Sequence, residues 1–202
     1  MFALVQDGSI TKIINNPKGL VVGDTRHSRK IFSLWSEAER NAIGIYSVVF
    51  DNSNKKDEAY YNNTNQTFAF ADGVVTASYG SSTAKAHADT LFTAQDEIDG
   101  KGTEGEVATR GLKYNLIRTV KEKAATILAQ TDWYIVRKAD ANTAVPSAIT
   151  THRAAVRTKC AEMETAITNA SNTAAIETLY THTKQEDGSV TRPLGELPIL
   201  EV

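Results

Sequence analysis

The chain has 202 residues, 41% hydrophobic and 23% charged, with a formal net charge of −2, which are ordinary values for a globular protein and give no overall bias toward nucleic acid. Cys160 is the single cysteine, which excludes an intramolecular disulfide framework and a cysteine metal cluster. No apolar run approaches the ~18 residues that span a bilayer, and the start, Met1-Phe2-Ala3-Leu4-Val5-Gln6-Asp7-Gly8, has neither the basic end nor the apolar core of a signal peptide; the expectation is a cytoplasmic protein with no membrane partner.

Asp7-Gly8 separates two β-forming runs, residues 2–6 and 9–14. Asp-Gly between such runs signals a hairpin, because a type I′ turn needs positive φ at both positions. Asn15-Asn16-Pro17-Lys18-Gly19 then breaks the strand, and Leu20-Val21-Val22 reads as a further short one. Ser36-Glu37-Ala38-Glu39 has the spacing of a capping box, with a short helix after it that stops near Gly44 and is pinned to a sheet by Trp35 and Ile43. The β-branched and aromatic run 45–50 predicts a strand, and the polar run 51–65 a loop with a mobile tip. A second Asp-Gly, Asp72-Gly73, joins predicted strands at 67–71 and 74–79, where Phe68 and Phe70 share a face as packing residues.

Residues 80–105 are rich in Gly, Ser, Thr, Ala and Asp. The composition suggests a flexible connection, with a helical turn or two at 84–91. From Val107 the period changes to that of a helix, with Leu112, Leu116, Val120, Ala124, Ile127 and Leu128 in one stripe. A second stripe runs through Ile149, Val156, Cys160, Met163 and Ile167, with Pro146 in its first turn. Two such helices joined by a short connection are expected to pack antiparallel. A shorter helix is predicted over 173–180, capped by Ser171 or Asn172. Asp187-Gly188 marks a third hairpin, and Pro193 and Pro198 keep 194–202 extended. That end either forms a docking strip of Leu194, Leu197, Ile199 and Leu200 or folds back on its own domain.

The expected architecture is α+β: a β-hairpin-rich N-terminal domain (1–80), a flexible connection (81–105), a small antiparallel helical domain with a Trp corner (106–182), and a C-terminal hairpin and extended tail (183–202). Charge is uneven along it. Residues 107–170 carry ten Lys or Arg and five Asp or Glu, a net of +5, against −7 for the remainder with its 12 basic and 19 acidic residues. The two parts attract each other, or the basic part faces an acidic partner, or these are charges of a solvated helix surface that do little.

Little in the sequence points to catalysis. His27, His87, His152 and His182 lack zinc spacing and read as surface or capping residues, so no metal and no cofactor are expected. Phosphate-loop, nucleophile-elbow and dinucleotide fingerprints are absent. Glu162 and Glu164 point about 200° apart on a helix and do not share a proton or a metal. Cys160, inside an apolar stripe, reads as a small buried hydrophobe. The expectation is a protein without catalytic residues.

The corner Thr131-Asp132-Trp133-Tyr134-Ile135-Val136-Arg137-Lys138 is the stretch with the most specific chemistry. One reading is structural, with Trp133 plugging the gap between helices and Arg137 bonding free carbonyls at a helix end. The other makes Trp133, Arg137, Arg153 and Arg157 a contact surface, since Trp and Arg dominate interface hot spots. Arg153 and Arg157 are four apart and share a helical face, taken to lie off the Ile149–Val156–Cys160 stripe.

Thr131-Asp132-Trp133, Arg137, Pro146 and the run Arg153-Ala154-Ala155-Val156-Arg157 together resemble the C-terminal module of phage tail assembly chaperones. In that family a Thr-Asp-Trp corner precedes a helix carrying an aromatic–Arg pair and a second Arg; here Thr151-His152-Arg153 stands where the aromatic often precedes the Arg. The front, through Phe2-Ala3-Leu4-Val5, Trp35-Ser36 and Gly44-Ile45-Tyr46-Ser47-Val48, is similar to the N-terminal region of small tail-associated phage proteins. The resemblance implies a role in tail-fibre assembly in the cytoplasm of an infected bacterium. The implied partner is a tail-fibre or other tail protein, and no nucleic acid. A structural virion component that stays in the particle, such as a fibre adaptor, is the alternative; a glycan- or nucleic-acid-active protein is a third.

Overall fold

The structure is a computed structural model that describes residues 1–200; Glu201 and Val202, the end of the expected extended tail, lie outside the described residues. The chain is α+β and divides into two compact units, one of residues 1–83 and a second beginning at Ala84.

The first unit contains β1 (Phe2–Gln6), β2 (Ser9–Ile14), β3 (Leu20–Val22), β4 (Thr25–His27), α1 (Ile31–Leu34), α2 (Glu37–Ala42), β5 (Ile45–Asp51), β6 (Tyr61–Asn62), β7 (Gln66–Ala71) and β8 (Val74–Tyr79), with the two-residue β9 (Thr83–Ala84) at its end. Five strands form one mixed sheet in the order β2-β1-β5-β8-β7. The Asp-Gly turns form as expected: Asp7 and Gly8 have φ of 51° and 73°, Asp72 and Gly73 of 51° and 76°. What the spacing does not reveal is that β5 pairs parallel with β8, with Val48 opposite Val75 and Phe50 opposite Ala77. The second hairpin therefore crosses back to lie beside β5. The sheet curls until its outer strands β2 and β7 approach each other.

Period-two alternation sends two sets of side chains to opposite faces. Ala3, Val5, Val48, Val75 and Ala77 pack on one face with Tyr46, Phe68 and Phe70. Leu4, Ile14 and Ile45 pack on the other with Ile31, Phe32, Trp35 and Ile43. The Ser36 hydroxyl accepts from the Glu39 amide, and the Glu39 carboxylate accepts from the Ser36 amide at 2.7 Å, completing the capping box of α2. Gly44, at φ 80°, ends that helix, and its carbonyl accepts the Val5 amide at 2.8 Å.

The second unit contains β10 (Thr90–Leu91), α3 (Ala94–Ile98), β11 (Val107–Thr109), α4 (Leu112–Ala129), α5 (Asp132–Ala141), α6 (Ser147–Asn169), α7 (Thr173–Tyr180), β12 (Thr183–Lys184) and β13 (Val190–Thr191). Its front differs from expectation. Residues 84–91 form no helix, and the glycine-rich stretch carries α3, whose Thr93 and Asp96 make a reciprocal capping box. Val107 belongs to β11, which pairs with β10, so the first long helix begins only at Leu112. The start of α4 is fixed by this segment: the Ala86 and His87 carbonyls accept the Leu112 and Lys113 amides, and the Asp89 carboxylate accepts the Gly111 amide at 2.8 Å. Those amides have no partner inside the helix, so each external acceptor removes a cost.

Helices α4 and α6 run antiparallel, as three contacts along their length show. Lys113 Nζ donates to the Thr168 carbonyl at 2.7 Å, Lys121 Nζ meets Glu164 at 2.9 Å, and Arg153 donates to the Leu128 carbonyl at 2.6 Å. Val120, Ala124, Val156, Cys160, Met163 and Ile167 form the core between them. Burying a side chain the size of Val156 or Ile167 contributes about 1.5–3 kcal/mol. Pro146 is the residue before α6 and lies outside its first turn, and Asn172, through its side chain, caps α7. The Asp187-Gly188 hairpin is short, two residues per strand. Leu194 is fully buried in the α4–α6 core and Leu197 packs against it, so this part of the tail folds back on its own unit.

Candidate functional site: the α4–α5–α6 junction

The corner is a helix in its own right. Thr131 precedes α5, whose ten residues end at Ala141, and Asn142 closes it with φ 52° in the left-handed region. Two helices joined by a turn were expected; three are present. No residue of α5 is buried.

Arg153 holds the junction together. Its side chain is 7% exposed, although it was expected off the apolar stripe of α6. The correction follows from spacing: Arg153 is four residues after Ile149 and three before Val156, both buried, so it shares their face. His152, expected at the surface, is buried beside it. Arg153 Nη1 lies 2.6 Å from the Leu128 carbonyl, 2.7 Å from the Thr131 hydroxyl and 2.8 Å from the Asp132 carboxylate. The Thr131 hydroxyl donates in turn to the Leu128 carbonyl at 3.0 Å. A cation thus sits where the last carbonyls of α4 leave negative partial charge, and it meets the carboxylate in the first turn of α5. Arg153 Nε is buried without a hydrogen-bond partner among the described residues.

Trp133 is turned the other way. It is 50% exposed and does not plug the gap between helices. Its ring stacks on Tyr134, with centroids 3.9 Å apart and planes 32° from parallel. Arg137, expected to bond helix-end carbonyls, instead lies over both rings, 4.7 Å from the Trp133 centroid and 5.4 Å from that of Tyr134. Helical geometry explains this: residue 137 is one turn after 133 and three after 134, so the guanidinium returns over the aromatic pair. Ile135 and Val136 are exposed on the same helix, Val136 by 65%.

The remaining candidates are dispersed. Arg157 is exposed on α6. Leu197 lines an apolar groove of about 530 Å³ with Leu116, Val120, Ile127, Met163 and Tyr180, rimmed by Lys123 and Arg192. Ile199 is 77% exposed and Leu200 half-buried. Trp133 and Arg137 belong neither to that groove nor to the α4–α6 core. The structure therefore brings together Trp133 and Arg137, ties Arg153 beneath them through Asp132, and leaves the tail residues elsewhere. Tyr134 and the Thr131–Asp132–Arg153 tie escaped sequence reasoning; the i, i+3 spacing of Tyr134 and Arg137 carries the first, whereas the tie spans more than twenty residues and has no local signal.

Two other polar clusters are structural in geometry. Glu164 bridges Lys121 and the Cys160 thiol, which donates to it at 3.4 Å; burial first, then that hydrogen bond, push the thiol's pKa above its ordinary value. Asp89 is held below the usual carboxylate range, first by the Gly111 amide and then by Arg110. Among the described residues no group of three or more His, Cys, Asp or Glu is arranged to hold a metal, and no helix is long and apolar enough to cross a membrane. No protein family, curated protein or solved structure matches the chain.

Proposed function

We propose that this chain is a non-catalytic phage tail protein that acts as a tail-fibre assembly chaperone in the host cytoplasm and binds the fibre protein through its helical unit. The observation that carries the reading is α5, which buries none of its residues and exposes Trp133, Ile135 and Val136. The three lie beside a stacked arginine on one helix, and Trp and Arg are the residues that anchor protein interfaces. The resemblance to tail assembly chaperones rests on the same stretch, Thr131-Asp132-Trp133 with Arg137 and Arg153. Arg153 supports the role indirectly, because a helix with no buried residue needs its orientation fixed from outside.

The reading also suits the client. Fibre proteins rich in edge strands aggregate until those strands are paired, and a partner that covers them keeps them soluble. Co-expression with a phage tail-fibre protein is expected to raise the soluble fraction of the fibre. Unchanged fibre solubility sinks the proposal. Mass spectrometry of purified particles separates the chaperone from a retained fibre adaptor: absence fits release, and stoichiometric presence assigns the adaptor role instead.

A further inference from the structure

We infer that the α5 patch recognises a partner segment that places a carboxylate beside an apolar side chain; this rests on the chaperone reading and specifies what its docking surface accepts. Several basic groups of this unit are used internally, while Lys123 and Arg157 are exposed on α4 and α6. Lys101, Arg110, Lys121, Arg153 and Arg192 each lie within ion-pair distance of a carboxylate. Arg137 and Lys138 have no ion-pair partner among the described residues. Arg137 is not idle, however. Trp133 and Tyr134 hold its guanidinium in place, and its Nε is buried without a partner.

A guanidinium laid across rings loses little of its donor fork, and that fork matches a carboxylate in two parallel hydrogen bonds. Because stacking has already restricted its rotamers, less entropy is lost on binding. Trp133 and Val136, at 50% and 65% exposure, supply apolar area next to it. The surface therefore pairs one unspent charge with a greasy neighbour. An acidic–apolar protein segment satisfies both; a nucleic-acid backbone satisfies only the charge, and it needs a longer basic track than two residues.

The test uses the full chain and a phage tail-fibre protein, with affinity measured by calorimetry. Arg137→Glu and Trp133→Ala are each expected to weaken binding by about tenfold or more. Arg137→Lys, which keeps charge but loses the fork, is expected to fall between them and the unchanged chain. Arg118→Glu makes the same charge change on α4 and is expected to stay within about twofold, with binding that weakens as salt rises toward about 0.5 M. Circular dichroism and urea midpoints equal to those of the unchanged chain establish that the variants fold. Equal affinity for Arg137→Glu overturns the inference, as does an equal loss for Arg118→Glu or displacement of the fibre by a single-stranded oligonucleotide. Failure of the unchanged chain to bind the fibre removes the chaperone reading and this inference with it.

Discussion

Arg153 of α6 donates to the Leu128 carbonyl at the end of α4 across 2.6 Å. One buried side chain thus neutralises a helix end, donates to the Thr131 hydroxyl and meets Asp132 at the start of the next helix. Three helices share a single anchor.

Removing that anchor is the most damaging single change expected in the second unit. Arg153→Ala leaves the Leu128 carbonyl and the Thr131 hydroxyl short of a donor and opens a void. Loss of a charged donor from such acceptors costs about 1.5–3 kcal/mol. Asp132→Asn is expected to cost much less, because the Asp132 side chain is over half exposed and its charge is screened. Urea unfolding of the full chain followed by circular dichroism measures both. An Arg153→Ala midpoint within error of the unchanged chain contradicts the anchor.

Gly44 and Gly73 differ in a way that substitution reveals. Both have positive φ, 80° and 76°. A Cβ at Gly73 meets nothing, whereas one at Gly44 runs into the Val5 carbonyl. Gly73→Ala is therefore expected to cost only the left-handed penalty, about 1 kcal/mol. Gly44→Ala adds a backbone collision to the same penalty and is expected to cost at least twice as much. Thermal melts of the two variants decide it; equal losses refute the packing argument.

Asp96 sets an acid limit for α3. The Thr93 backbone amide, then the Thr93 hydroxyl and Lys101, hold its carboxyl down to about 2 from 3.8. A depressed folded value means that the cap stabilises above the unfolded value and is lost as pH falls through the folded one. The α3 cap is thus expected to persist at pH 3.8 and to fail near pH 2. Carboxyl-carbon NMR titration follows it directly. A midpoint near the ordinary aspartate value shows that the reciprocal cap does not form.

The Cys160 thiol is expected to be slow. It is 9% exposed, and burial with the Glu164 hydrogen bond raises its pKa, so little thiolate is present at neutral pH. Reaction with a thiol reagent is expected to be at least about tenfold slower in the folded chain than in guanidinium. Comparable rates refute the burial of this side chain.

The pattern of agreement with the sequence has a physical basis. Asp7-Gly8, Asp72-Gly73 and the Ser36–Glu39 box are local devices, complete within a few residues, and each forms as its chemistry requires. The apolar stripe from Ile149 to Ile167 is equally legible, because every member is buried and Val156, Cys160, Met163 and Ile167 face one core. The parallel pairing of β5 with β8 is a long-range choice made by packing, and nothing near Val48 announces Val75 as its partner. Arg153 was misplaced for a different reason. Its position fits the stripe, but a charge there is expected to be solvated, and the acceptors that draw it inside, the Leu128 carbonyl and the Thr131 hydroxyl, lie more than twenty residues away in sequence. Thr93-x-x-Asp96 was overlooked because glycines around it suggest a linker; the cap outweighs the composition. At the site, Trp133 and Arg137 were recognisable as residue types, while their stacking required α5 to be a helix, which its polar tail of Lys138 to Ala141 conceals.

The curl of the first unit bears on how the protein survives at high concentration. With β2 and β7 drawn toward one another, the two edge strands of the sheet lie close together, which leaves a foreign strand less room to add along either of them.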